Sequence, residues 1–94
     1  MTSVRRRLEV LYSGRVQGVG FRHTARSVAT GFEVTGTVRN LDDGRVQLLA
    51  EGDEEELRAF QAAIRDSGLG PLIRGAEERW AAGEGGLQGF RIIP

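Results

Sequence analysis

The string Gly14-Arg15-Val16-Gln17-Gly18-Val19-Gly20-Phe21-Arg22 holds the ingredients of an anion site. Glycines at 18 and 20 let successive backbone N–H groups turn inward as a nest. A helix beginning at its end would add unpartnered amides and a partial positive charge. Arg22, in the first turn of that helix, can offer a planar fork of donors that grips two phosphate oxygens and stays charged at any working pH. The same string serves equally well as an ordinary tight connection between a strand and a helix, and both readings stand at this point.

Such a site needs a strand before it and a helix after it. Leu8, Val10 and Tyr12 alternate with Arg7, Glu9, Leu11 and Ser13, the period-two pattern of a half-buried strand ending near Gly14. From Arg22 to about Phe32, Ala25, Val28, Ala29 and Phe32 recur at helical spacing. Val34, Gly36 and Val38 alternate in a second strand, and Arg45 to Ala50 forms a third beyond the turn residues Asp42-Asp43-Gly44. Asp53 and Glu56 have the spacing of a capping box, and Leu57, Phe60, Ala63 and Ile64 form the stripe of a second helix. Ser67-Gly68-Leu69-Gly70-Pro71 stops it; Ile73 to Ala82 reads as a fourth strand and Gln88 to Ile93 as a short fifth. The order βαββαβ plus a terminal strand predicts an α+β ferredoxin-like sandwich, with two helices on one face of an antiparallel sheet. One domain spanning 1–94 is expected, with residues 1–6 as a flexible tail.

Composition removes whole classes of chemistry. The chain has no cysteine, so thiolate catalysis, disulfides and cysteine-ligated metals are excluded. All 13 basic residues are arginine, which leaves no lysine for a Schiff base, a pyridoxal attachment or a Walker-type phosphate loop. They balance 13 acidic residues, so no global field draws the chain to nucleic acid or an anionic membrane, and any anion site must be local. No apolar run approaches the roughly 20 residues that span a bilayer, and a cytoplasmic location is expected.

Gly14 to Arg22 closely resembles the first motif of the acylphosphatase family: glycine, any residue, Val-Gln-Gly-Val, any residue, Phe-Arg. Gly36 to Val46 is similar to the family's second motif, with Asn40, Gly44 and Val46 in register. The resemblance covers nearly the whole chain. It implies that Arg22 and the loop of Arg15, Val16, Gln17, Gly18, Val19, Gly20 and Phe21 bind a phosphoryl group, and that the Asn40 side chain positions water. It implies an acyl phosphate as substrate, no metal or organic cofactor, and a monomer. Two residues depart from the family pattern: Thr37 replaces a usual aromatic, and Glu33 stands where a glycine often follows the first helix.

That chemistry suits a site with few groups. An acyl phosphate expels a carboxylate, a leaving group weak enough as a base to need little help from an acid. In-line attack on phosphorus demands positioning and charge stabilisation, which an arginine and backbone amides supply. An asparagine amide orients water rather than deprotonating it, so a substrate phosphate oxygen is the expected proton acceptor.

Other chemistry-bearing residues read as structural. His23 points roughly 100° away from Arg22 on a 3.6-residue turn and is expected exposed. Asp42 and Asp43 are turn residues, Glu54 to Glu56 a solvated first helical turn, and Arg5 to Arg7 a frayed basic end. Trp80 and Phe90 read as strand packing. The rival function is a module of the same fold that holds phosphate, or an acyl or carbamoyl phosphate, without turnover; Asn40, which mere binding would not require, argues for catalysis. RNA binding would need aromatics on the central strands, and Arg45 to Ala50 has none.

Overall fold

Leu8, Val10 and Tyr12 alternate with less buried neighbours along β1 (Arg6–Gly14), so one face of this strand turns to the core. In the computed structural model, which describes residues 4–94, it is followed by α1 (Phe21–Ala29), β2 (Thr35–Asn40), β3 (Val46–Gly52) and α2 (Glu54–Ile64). A wide turn over Arg65–Leu69 pivots on Gly68 (φ 97°) and leads through a short 3-10 turn at Gly70–Leu72 into β4 (Ile73–Ala82). The chain closes with β5 (Phe90–Ile92). Both helices pack on one five-stranded sheet, the ferredoxin-like arrangement the element order predicts.

The sheet order is β4-β1-β3-β2-β5. β1 pairs antiparallel with β3 and β4, and β2 pairs antiparallel with β3. β5, however, runs parallel to β2, so the sheet is mixed rather than wholly antiparallel. The direction follows from the path of the chain: β5 reverses the direction of β4 but lands beside β2, which already runs that way. Alternation over a short segment encodes which side chains face inward and not the direction of a neighbouring strand.

Val10, Tyr12, Val38, Val46, Leu48, Phe21, Ala25, Leu57, Phe60 and Ile64 form the core between sheet and helices. Phe60 is its aromatic hub, with ring centroids 5.9 Å from Phe32 and 5.4 Å from Phe90. Gly36 is required in β2 because a Cβ there would collide with the Leu49 carbonyl of β3. α1 ends at Ala29, three residues before Phe32, which instead reaches the core from the following turns, where Gly31 and Phe32 donate to the Val28 and Ala29 carbonyls at 3.0 and 3.1 Å.

Three expectations about charged residues change. Arg6 and Arg7 are not a frayed end: they open β1, and Arg5 binds Thr35 Oγ1 at 3.1 Å, while residues 1–3 lie outside the described chain. Arg6 and Arg58 both pair with Glu54 and both lie over Trp80, 5.3 and 4.9 Å from its ring centroid, so Glu54 is more than a solvated residue. The capping box does not close. Asp53 makes no side-chain cap bond, and Glu56 instead accepts the Glu33 N–H at 2.9 Å, because the chain entering β2 brings that donor within its reach.

Glu51 is the one buried acidic side chain among the described residues, with no solvent exposure. It accepts from Arg7 Nε at 2.6 Å, from Glu84 N at 2.9 Å and from Gly85 N at 3.0 Å. Burial alone would raise its pKa, but these donors together hold it below the ordinary glutamate value. The result is a latch fastening the β4–β5 loop to β3.

Candidate active site

β1 leaves the sheet through an irregularity at Ser13 and Gly14, where its register with β4 shifts. Gly14 has φ 119°, and a Cβ at this position would strike the Leu72 carbonyl. Arg15 then donates its amide to that same carbonyl at 2.9 Å. Two apolar anchors fix the ends of the loop that follows. Val16 is fully buried, and Phe21 is buried against Tyr12 with ring centroids 4.9 Å apart. Between them Gly18 and Gly20 take left-handed conformations, φ 74° and 80°, which a side chain would strain.

The amides of this loop are unspent. After Arg15, the next backbone N–H to find a backbone acceptor is that of Thr24, on the Gly20 carbonyl at 2.9 Å; those of Val16 to His23 have none among the described residues. Gly20 occupies the N-cap of α1 without a capping side chain, and no acidic residue stands in the first turn. The helix end therefore keeps its positive partial charge. Arg22 follows at the second helical position, partly exposed, and no carboxylate among the described residues pairs with it. A positive, donor-rich cradle with no internal anion can hold a tetrahedral oxyanion.

Asn40 closes β2 at the same end of the sheet. Tyr12, Val46 and Asn40 are cross-strand partners in a single row over β1, β3 and β2, and their side chains share the face covered by the helices. The Asn40 Oδ1 atom is buried and has no hydrogen-bond partner. A buried acceptor left open is costly, and such an atom calls for a donor from outside the protein, such as water. Tyr12 Oη is likewise unpartnered; burial pushes its pKa up to about 12, so it stays a neutral phenol and offers no general base.

Gln17 ties these parts together. Its Nε2 donates to the Leu41 carbonyl at 2.8 Å and the Arg45 carbonyl at 2.9 Å, fastening the glycine loop to the β2–β3 hairpin one residue beyond Asn40. The side chain that sequence grouped with the anion-binding loop is thus a clamp. The signal available for it was a lone amide side chain flanked by valine and glycine, which does not reveal its partner. Arg15 contributes an exposed side chain and an amide already committed to Leu72.

The acylphosphatase family model matches residues 8–92. The chain belongs to the acylphosphatase family. An acylphosphatase of Methylococcus capsulatus is 41% identical over 88 residues, covering 94% of this chain and 96% of that one. Another, of Syntrophotalea carbinolica, is 37% identical over 86 residues, 92% of this chain and 94% of that one. Among solved structures, an acylphosphatase from Bacillus subtilis superposes with a TM-score of 0.85 at 33% identity, covering 95% of this chain and 99% of that one. Membership makes this chain a hydrolase of the acylphosphatase type.

Within that acylphosphatase frame the two departures fall away from the cradle. Thr37 is three residues before Asn40 and so projects from the opposite face of the sheet, where it lines a small cleft with Leu87, Gln88 and Arg91. Glu33 sits at the other end of β2, its amide held by Glu56. His23 is exposed, with Nδ1 3.4 Å from an Arg26 nitrogen. Asp43 serves the hairpin, accepting from the Arg45 amide at 3.0 Å and from its guanidinium at 2.8 Å. The Arg45 contacts hold its carboxyl below the ordinary aspartate value. Among the described residues no three His, Cys, Asp or Glu side chains converge as a metal-binding group, and no helix is long and apolar enough to cross a membrane.

Proposed function

We propose that this chain hydrolyses the carboxyl–phosphate anhydride of acyl phosphates to a carboxylate and inorganic phosphate. The phosphoryl group rests in the cradle of amides from Val16 to Arg22, with the Arg22 guanidinium forked over two of its oxygens. Asn40 Oδ1 accepts a hydrogen bond from the attacking water and aims its oxygen along the line of the breaking bond. A new P–O bond forms as the bond from phosphorus to the bridging oxygen breaks, and the electron pair leaves on the carboxylate. The water proton passes to a phosphoryl oxygen, because an amide side chain is too weak a base to take it and Tyr12 is locked as a neutral phenol. The reaction as drawn needs neither a metal nor an organic cofactor, and a single chain in the cytoplasm would suffice for it.

The observation that carries this reading is the unpartnered Oδ1 of Asn40 at the same end of the sheet as the anion cradle, one residue from the hairpin carbonyl that Gln17 of the loop grips. A site that only bound phosphate would have use for the Nδ2 donors of Asn40 alone, whereas the carboxamide also offers an acceptor with which to orient a water. Hydrolysis of benzoyl phosphate in excess EDTA, with folding verified by circular dichroism, tests the proposal. Turnover should persist in EDTA and fall about 10²- to 10³-fold in Arg22→Ala and in Asn40→Ala, the range for losing one preorganised group at a developing charge. A folded wild type that binds phosphate and turns nothing over would establish a binding module instead.

A further inference from the structure

The glycine loop contains two valines with opposite surroundings. Val16 is fully buried and anchors the loop, whereas Val19 is 41% exposed. Only Val4, near the N-terminus, is a comparably exposed large apolar side chain among the described residues. Val19 stands between Gly18 and Gly20, around which a Cβ would meet nothing within 4 Å, so this side of the loop is open to an approaching molecule. The exposed part of this isopropyl group adds nothing to the apolar area the fold buries and is available to an apolar ligand.

Resting on the hydrolase reading, the geometry points to Val19 as the residue that contacts the acyl part of the substrate and sets a preference for apolar acyl groups. An acyl phosphate has an anionic end and an organic end. When the phosphoryl group is seated on the amides that flank Val19, the organic end projects across the loop's rim. Gln17 is turned away into its clamp on the hairpin, and Arg15 offers a cation, leaving Val19 as the apolar group of the rim. A larger apolar acyl group covers more of it and gains more from the contact, while a small one gains little.

The rival seat for the acyl group is a groove of about 610 Å³ along α1, which runs from His23 and Arg26 past Thr30 to Phe32 and Phe90. Its wall on α1 is polar, so it would favour a charged acyl group rather than an apolar one. Val19→Thr separates the two, because threonine keeps the β-branched shape and replaces a methyl by a hydroxyl.

The experiment compares wild type and Val19→Thr with benzoyl phosphate and acetyl phosphate in turnover, and with benzoylphosphonate, acetylphosphonate and inorganic phosphate by calorimetric titration. Partial burial of a valine corresponds to about fivefold, so KM for benzoyl phosphate and the dissociation constant of benzoylphosphonate should each rise about fivefold. Because the Val19 amide belongs to the phosphate cradle, a disturbance of the loop would act on every probe alike, so the deciding readout is the ratio of benzoyl to acetyl values, in KM and in phosphonate affinity, which should shift about fivefold against benzoyl. Equal weakening of benzoyl and acetyl probes would assign Val19 a loop-shaping role and overturn the inference. Indifference of both would place the acyl group elsewhere and overturn it too. If the wild type hydrolysed neither substrate, the hydrolase reading would fall, and the phosphonate titrations would still decide the role of Val19.

Discussion

Replacing Gln17 by methionine keeps the length of the side chain and deletes both hydrogen bonds that hold the glycine loop to the β2–β3 hairpin. The two carbonyls would not be orphaned: the Arg45 oxygen still accepts from Leu41 N at 2.8 Å and the Leu41 oxygen from Gly44 N at 3.2 Å. The cost is therefore that of two neutral hydrogen bonds without an added desolvation penalty, about 1–3 kcal/mol. For a domain of this size that corresponds to a fall in Tm of roughly 4–8 °C per kcal/mol. Urea unfolding followed through the single tryptophan, Trp80, measures it. Catalysis should suffer more than stability does. The clamp fixes the loop against the strand end carrying Asn40, and a misplacement of about 1 Å between reacting groups can cost on the order of 10² in rate. kcat should fall at least about tenfold while inorganic phosphate, which needs only the cradle, binds within about threefold of wild type. A Gln17→Met protein that is destabilised yet retains full kcat would refute the idea that the clamp aligns loop and asparagine. One unchanged in both respects would refute the energetic argument as well.

Two further changes probe the scaffold. Glu51→Gln removes the charge that receives Arg7 and the Glu84 and Gly85 amides. Because the folded pKa of Glu51 lies below its unfolded value, its stabilisation is fully present above the ordinary glutamate range and is lost as pH falls through the folded value. The variant should thus be less stable than wild type at neutral pH, with the gap closing on acidification; urea midpoints from neutral to acid pH measure it, and a gap constant with pH would exclude Glu51 as the source. Phe60→Ala opens the meeting point of Phe32 and Phe90 and should cost about 3–5 kcal/mol, read as a shift of the urea midpoint at unchanged slope.

The parts of the fold that sequence made readable are those with a local code. Leu8, Val10 and Tyr12 declare a strand face by alternation, Asp42-Asp43-Gly44 declares a hairpin, and Gly14, Gly18 and Gly20 declare a loop, since each of the three takes a positive φ. Arg22 and Asn40 were legible as site candidates through their motifs, and the structure brings both to one end of the sheet. What escaped depends on distant partners. The three arginines at positions 5 to 7 look like a solvated tail until the buried Glu51, 44 residues beyond Arg7, supplies a reason for order. Glu56 has capping-box spacing but meets a competing N–H from Glu33, 23 residues earlier. Residues 90–92 carry no local information about which strand they will join. Only for Glu56 was the spacing right for one interaction while the tertiary structure offered another; in the other two cases the partner lies beyond any local pattern.

The account rests most directly on a division of labour in which the loop and Arg22 bind phosphate and Asn40 serves the water. Asn40→Ala, measured both for kcat on benzoyl phosphate and for its dissociation constant with inorganic phosphate, tests that division. The prediction is a loss of about 10²- to 10³-fold in kcat with phosphate affinity held within about twofold. Phosphate affinity falling in step with kcat would make Asn40 part of the anion grip and contradict the account.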